Sequence, residues 1–159
     1  MKKADERVPR WPYVLLRGTT TAVAVLAAAQ AVLAGGFLSG YYGALTAHLM
    51  VGISLVALAV LQVPVAVFQY RAGGSRPVLR ECLTLPLVLA VQAGLGMLHI
   101  LILHIPFGVL MIVGSFRFAV GAWRTPLPAR AGSGGPGEPV EPVEPVEPAG
   151  PVEAAGVLS

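Results

Sequence analysis

The stretch Gln30–Gly52, QAVLAGGFLSGYYGALTAHLMVG, has a shorter counterpart further along the chain, Gln92–Gly108, QAGLGMLHILILHIPFG. Each opens with Gln-Ala inside an apolar run, has Leu at its fourth position, and has Gly one or two residues after that Leu. Each then crosses a chargeless connection and enters the next apolar run through a His with Gly four residues on, His48 to Gly52 and His104 to Gly108. Residues four apart lie on one face of a helix. The pattern therefore predicts two helical hairpins related by duplication, each placing one His near the start of its second helix.

Outward from these stretches, charge is nearly absent. No Asp, Glu, Lys or Arg lies between Gly18 and Tyr70, and none lies between Cys82 and Phe116. Apolar residues make up 55% of the chain and charged ones 12%, against about a quarter charged in soluble proteins. About 20 apolar residues suffice for a helix to cross a bilayer, so each chargeless run accommodates two crossings, the second only with a very tight turn. The fold expected is all-α, a polytopic membrane four-helix bundle. A charged leader occupies residues 1–16, the bundle 17–123, and a disordered tail rich in Pro, Glu and Val 124–159. The four spans are expected over about 17–38, 44–70, 81–100 and 103–122, with the last connection near His99 to Leu103.

The excess of positive charge does not point to nucleic acid. Lys2, Lys3, Arg7, Arg10, Arg17, Arg71, Arg76 and Arg80 flank the first three expected spans, and Arg117, Arg124 and Arg130 surround the end of the fourth. Cationic residues gather on the cytoplasmic side of membrane proteins. Both termini are thus expected in the cytoplasm and the protein in the plasma membrane, with the lipid bilayer as its first partner. A secretory signal is the rival reading of the basic leader, the apolar run and Ala27-Ala28-Ala29, but the apolar run continues well past that triplet. The single cysteine, Cys82, permits no internal disulfide and no multi-cysteine metal site. From Glu138 the chain repeats EPVEPVEPVEP. Proline at every third residue forbids helix and sheet, so this segment reads as an extended, solvated spacer.

Pro64 falls inside the second expected span, where it kinks the helix, with Gln62 near enough to occupy a freed backbone group. Ionisable residues inside a membrane are the default candidates for function, and here they are histidines. The topology makes spans 2 and 4 parallel, with His48 and His104 at similar depth. Imidazole is a common axial ligand of haem iron, and four-helix bundles hold cofactors between facing helices. His48 and His104 are therefore candidate ligands of a b-type haem, their only metal being the haem iron. Gly52 and Gly108 would remove bulk beside each imidazole, as Gly35, Gly36, Gly94 and Gly96 would on spans 1 and 3. Gln30 and Gln92 complete the candidate pocket, and Ser39, Tyr41, Tyr42 and Thr46 stand where propionate partners would be needed.

Two alternatives remain open: a non-catalytic membrane protein or complex subunit whose histidines and glutamines only hydrogen-bond helices together, and a small transporter or a proton or quinone site. His99, without a counterpart in the first hairpin, is expected to be interfacial. No phosphate-binding glycine loop, Ser-His-acid set, HExxH or cysteine-rich metal spacing is present, so no catalytic residue is expected.

Gln-x-x-Leu with a nearby Gly, followed by a His that opens the next helix, resembles the half-repeat of haem A synthase. The paired histidines also resemble those of four-helix b-type cytochromes. Over Arg17–Trp123, Gln30, Gly35, His48 and Gly52, then Gln92, Gly96, His104 and Gly108, resemble small bacterial four-helix integral membrane proteins of uncharacterised function. Haem A synthase has an acidic residue and cysteines in an outer loop and twice the helices; this chain has none of these. The resemblance thus implies a haem-binding bundle serving electron transfer or haem handling, with a membrane redox partner or a second copy as its partner, and not the synthase reaction.

Overall fold

A computed structural model describes residues 9–128. The first residues of the leader and the Pro-Glu-Val repeat lie outside the described residues. Four helices fill almost all of this range: α1 (Trp11–Leu38), α2 (Gly43–Arg71), α3 (Arg76–Met97) and α4 (Leu101–Arg124). All four are long and apolar enough to cross a membrane. At about 1.5 Å per residue, even α3, with 22 residues, matches a hydrocarbon core of about 30 Å. The chain is an all-α polytopic membrane bundle.

Two of the helix starts follow proline. Pro12 opens α1, and Pro77 opens α3 at Arg76 rather than at residue 81, because a first-turn proline leaves no further donor unsatisfied and its φ suits a helix. The helix ends follow one device used three times. Gly40, Gly73 and His99 each adopt a positive φ directly after a helix cap. In each case the next amide donates to a carbonyl five residues back: Tyr41 to Gly36, Gly74 to Gln69, Ile100 to Leu95. This satisfies carbonyls that the helix end would otherwise leave bare. The third copy closes the α3–α4 turn within Leu98–Ile100, so α4 begins at Leu101 instead of near 103. His99, at φ 58°, holds a conformation usually given to glycine.

Short connections make consecutive helices antiparallel. α1 packs on α2 and α4, and α3 packs on α2 and α4; among the described residues no backbone contact joins either diagonal pair, α1 with α3 or α2 with α4. One end of the bundle carries the chain termini and the α2–α3 turn (the terminal end). The other carries the two remaining turns and His48 and His104 (the histidine end).

Each helix turns a single stripe inward. On α1 the buried residues include Tyr13, Leu16, Thr20, Val23 and Ala27, with Pro12 and Ala24 beside them, and on α2 they are Leu55, Ala59, Gln62, Ala66 and Gln69. These spacings of three and four are those of one helix face. Continued toward the histidine end, the stripes reach Gln30 on α1 and Gly52 and His48 on α2. On α4 they run from Ala122, Ala119 and Ser115 to Gly108 and His104. The large residues Val32, Leu61, Leu87 and Ile102 lie outward and exposed, the inside-out pattern of a lipid-facing surface.

Cys82 is fully buried against Leu16 and Ala66. Gln62 departs from expectation: it is fully buried in the bundle, and both its amide atoms lack a hydrogen-bond partner. It does not serve the carbonyl that Pro64 frees, because its position on the inward stripe of α2 directs the side chain to the core.

At the terminal end the ring of helices is closed by Arg17. Its guanidinium donates to the carbonyls of Ala122 (3.2 Å) and Thr125 (2.6 Å) at the end of α4 and lies 5.2 Å from the centre of the Trp123 ring. Trp123 in turn donates to Thr21. A cation at a helix C-terminus satisfies orphan carbonyls and complements the helix dipole. Arg17→Leu is expected to cost about 2 kcal/mol of stability in detergent, with Arg17→Lys recovering only part of it. Equal thermal unfolding of wild type and Arg17→Leu would dismiss this closure.

Candidate functional site

The duplicated stretch proves to be a duplicated contact. In the first hairpin the Gln30 side-chain amide donates to the His48 carbonyl (3.0 Å), and His48 Nδ1 lies 3.1 Å from the Gln30 carbonyl. In the second hairpin the Gln92 amide donates to the His104 carbonyl (2.9 Å), and His104 Nδ1 lies 2.9 Å from the Gln92 carbonyl. Each Gln–His pair thus exchanges two hydrogen bonds across antiparallel helices. A peptide carbonyl can only accept, so Nδ1 must carry the proton in both imidazoles. The two clamps differ at the other ring nitrogen, since the Gln92 side-chain nitrogen also lies 3.5 Å from His104 Nε2.

The glycines explain how the amides reach their acceptors. A Cβ on Gly52 would sit 3.0 Å from Gln30 Nε2, and one on Gly108 would sit 2.8 Å from Gln92 Nε2. The residue four positions after a His covers the approach to that His carbonyl, and only glycine leaves it open to a second donor. Gly52 and Gly108 therefore make room for a glutamine of their own hairpin, not for the face of a macrocycle as their spacing first implied. Gly96 is used similarly: a Cβ there would meet the His104 ring at 2.8 Å. Gly36 lets α1 approach Ala44, at 3.3 Å from its own notional Cβ, whereas Gly35 and Gly94 have nothing within 4 Å.

Between the hairpins, the His48 and His104 ring centres lie 6.3 Å apart with their planes inclined at 61°. They belong to diagonal helices that make no backbone contact, so the two imidazoles bridge the space across the bundle. Two imidazoles ligating one iron from opposite sides would each contribute a metal–nitrogen bond of about 2 Å. A ring with bonds of about 1.33 Å has a radius of about 1.1 Å. Together these set the ring centres on the order of 6 Å apart. The observed 6.3 Å is of that size, while His104 Nε2 lies 3.5 Å from the Gln92 side-chain nitrogen. Among the described residues no three or more His, Cys, Asp or Glu side chains gather as a metal site. An all-protein tetrahedral zinc site is therefore not assembled there, while a haem needs only two protein donors.

The other expected residues are spread more widely. His99 is exposed in its turn and takes no part in the pair. Tyr41 and Tyr42 are exposed at the rim, and the Ser39 hydroxyl donates to Gly35 within its own helix. The side-chain oxygens of Gln30 and Gln92 are buried without partners. These symmetric acceptors call for donors such as buried waters supply.

The chain matches no protein-family model, no curated protein and no solved structure. Fold and site together define its class: a polytopic four-helix membrane protein with a duplicated Gln–His–Gly clamp and a pair of facing-helix imidazoles at one end.

The clamp makes Gly108 and Gln92 energetically one unit. Gly108→Ala is expected to displace the flexible Gln92 amide and lose its hydrogen bond, costing about 1 kcal/mol. Once Gln92→Leu has removed that amide, adding Gly108→Ala should cost nothing further. Additive losses in the double-mutant cycle, read by thermal unfolding in detergent, would mean that the glycine does something else.

Proposed function

We propose that this protein binds a b-type haem between α2 and α4, with His48 and His104 as its axial ligands, for electron transfer or haem handling in the plasma membrane. The observation that carries this reading is the 6.3 Å separation of the two rings across the bundle diagonal. It is supported by Nδ1 of each ring lying on a Gln30 or Gln92 carbonyl, which leaves Nε2 as the ring nitrogen that could bind iron. His104 Nε2 also lies 3.5 Å from the Gln92 side-chain nitrogen, which a bound haem would have to displace. Bound haem would supply a one-electron redox couple. The chain's own part is to fix both imidazoles through the clamps and to surround them with apolar helices. The electron would be exchanged with a membrane redox partner or a second copy of the chain.

The same facts favour one other reading, in which the histidines only tie helices together. The clamps do join α1 to α2 and α3 to α4, and a tilted ring pair at this distance is itself a favourable aromatic contact. An absorption spectrum separates the two. Purified protein is expected to show a Soret band, with sharp bands on reduction, all lost in His48→Ala and in His104→Ala. A preparation that is colourless, and stays so after haem is added, would leave the histidines as structural links.

The cations sit at the terminal end, including Arg17, Arg71, Arg76, Arg80, Arg117 and Arg124, whereas the turns at the histidine end carry no Lys or Arg. The reading therefore places both termini in the cytoplasm. A cysteine introduced at Ser39 should react with an impermeant thiol reagent added outside intact cells, and one introduced at Ser75 should not. The reverse labelling would invert the topology.

A further inference from the structure

The two hairpins share a clamp but not their packing. α1 and α2 are the most closely packed pair of neighbours, and α3 and α4 the least. Where α3 and α4 part, the bundle has a cavity of about 230 Å³ floored by Thr20 and Val23 of α1 and open on one side. Along α4 it extends from Phe107, one turn beyond His104, to Phe118, a length of about 16 Å at 1.5 Å per residue.

The polar lining is gathered toward the terminal end, where Glu81, Thr84, Thr20 and Ser115 lie among the apolar Leu85 and Phe118; toward the histidine end the wall is wholly apolar, Phe107, Leu110 and Met111 with Val88. Thr20 and Ser115 are buried, while Glu81 and Thr84 are exposed at the opening. Since both helices flanking the opening are membrane spans, an occupant enters sideways from lipid. It must therefore be membrane-soluble, with a polar head that meets hydroxyls and an apolar remainder. The Glu81 carboxylate at the mouth disfavours an anionic head such as a phosphate or a fatty acid. The volume is below the about 300–1,000 Å³ of drug-sized sites, enough for one ring with the rest of the molecule outside. A flat, neutral ring carrying carbonyl acceptors meets all of these conditions.

We propose that the α3–α4 groove binds the head of a membrane quinone, one carbonyl accepting from the Ser115 hydroxyl, since the Thr84 hydroxyl already donates to the Glu81 carbonyl, and its tail leaving between the helices into lipid. The site stands apart from the histidine pair and does not depend on haem.

Thermal unfolding of the full-length protein in detergent tests it, with decylubiquinone and menadione as probes and oleate as the anionic control. The quinones are expected to raise the midpoint by several degrees, as binding to the native state alone requires, and oleate is expected to leave it unchanged. A Cβ on Gly114 would meet nothing within 4 Å, so Gly114→Leu should fold, fill the groove and abolish the shift. If that variant does not fold, Thr84→Leu, from the facing helix, serves in its place. No quinone shift in the wild type, an undiminished shift in the filled variant, or an equal response to oleate (a lipid-chain groove) would each overturn the proposal. The shift is expected whether or not the preparation carries haem, so this site and the haem reading fail separately.

Discussion

A polar group inside a bilayer has no water to fall back on, so it must find its partner within the protein. The reciprocal Gln–His hydrogen bonds are this protein's main answer at the histidine end, and the rest of that end follows from them. Each bond pair needs antiparallel helices close enough for a glutamine to reach a backbone carbonyl. That need sets glycine at the position one turn after each His. It also commits Nδ1 of each imidazole, so the tautomer is a consequence of packing rather than a separate feature. The clamp thus links the helices of each hairpin and fixes the orientation of its imidazole in one arrangement.

The opposite end uses different chemistry. There the helices emerge among headgroups, where an arginine is affordable, and Arg17 joins the first helix to the last by occupying the carbonyls that end α4. Clamps within the hairpins and an arginine closure between them hold the four helices in a ring, although α3 and α4 pack loosely along part of their length. The alanines of the α2 stripe, Ala59 and Ala66, are buried and permit the close approach on which helix association in lipid relies. The second hairpin lacks so continuous a seam, and the groove opens there.

Much of this was legible in the residues. Two chargeless runs, cations confined to particular connections and a His-x-x-x-Gly pattern occurring twice were enough to expect four spans, two hairpins and a matched histidine pair. The helix ends were less legible: the spacing suggested a connection from His99 to Leu103, but the turn closes over Leu98–Ile100 because His99 takes up the left-handed conformation. Gln62 looked like a partner for the carbonyl freed by Pro64, and it points into the core unpaired instead.

The division has a physical cause. Hydropathy and charge placement act on each segment separately, so the linear order of residues determined by itself that the chain forms apolar helices joined by short turns, and which face of each carries Gln, His and Gly. Nothing local relates α2 to α4, which are neither consecutive nor in backbone contact. Only the packing of all four helices into a ring decided that His48 and His104 meet at 6.3 Å. It also decided that the glycines serve the glutamines, and that a groove remains between α3 and α4, since each is a distance between elements that the order of residues does not contain.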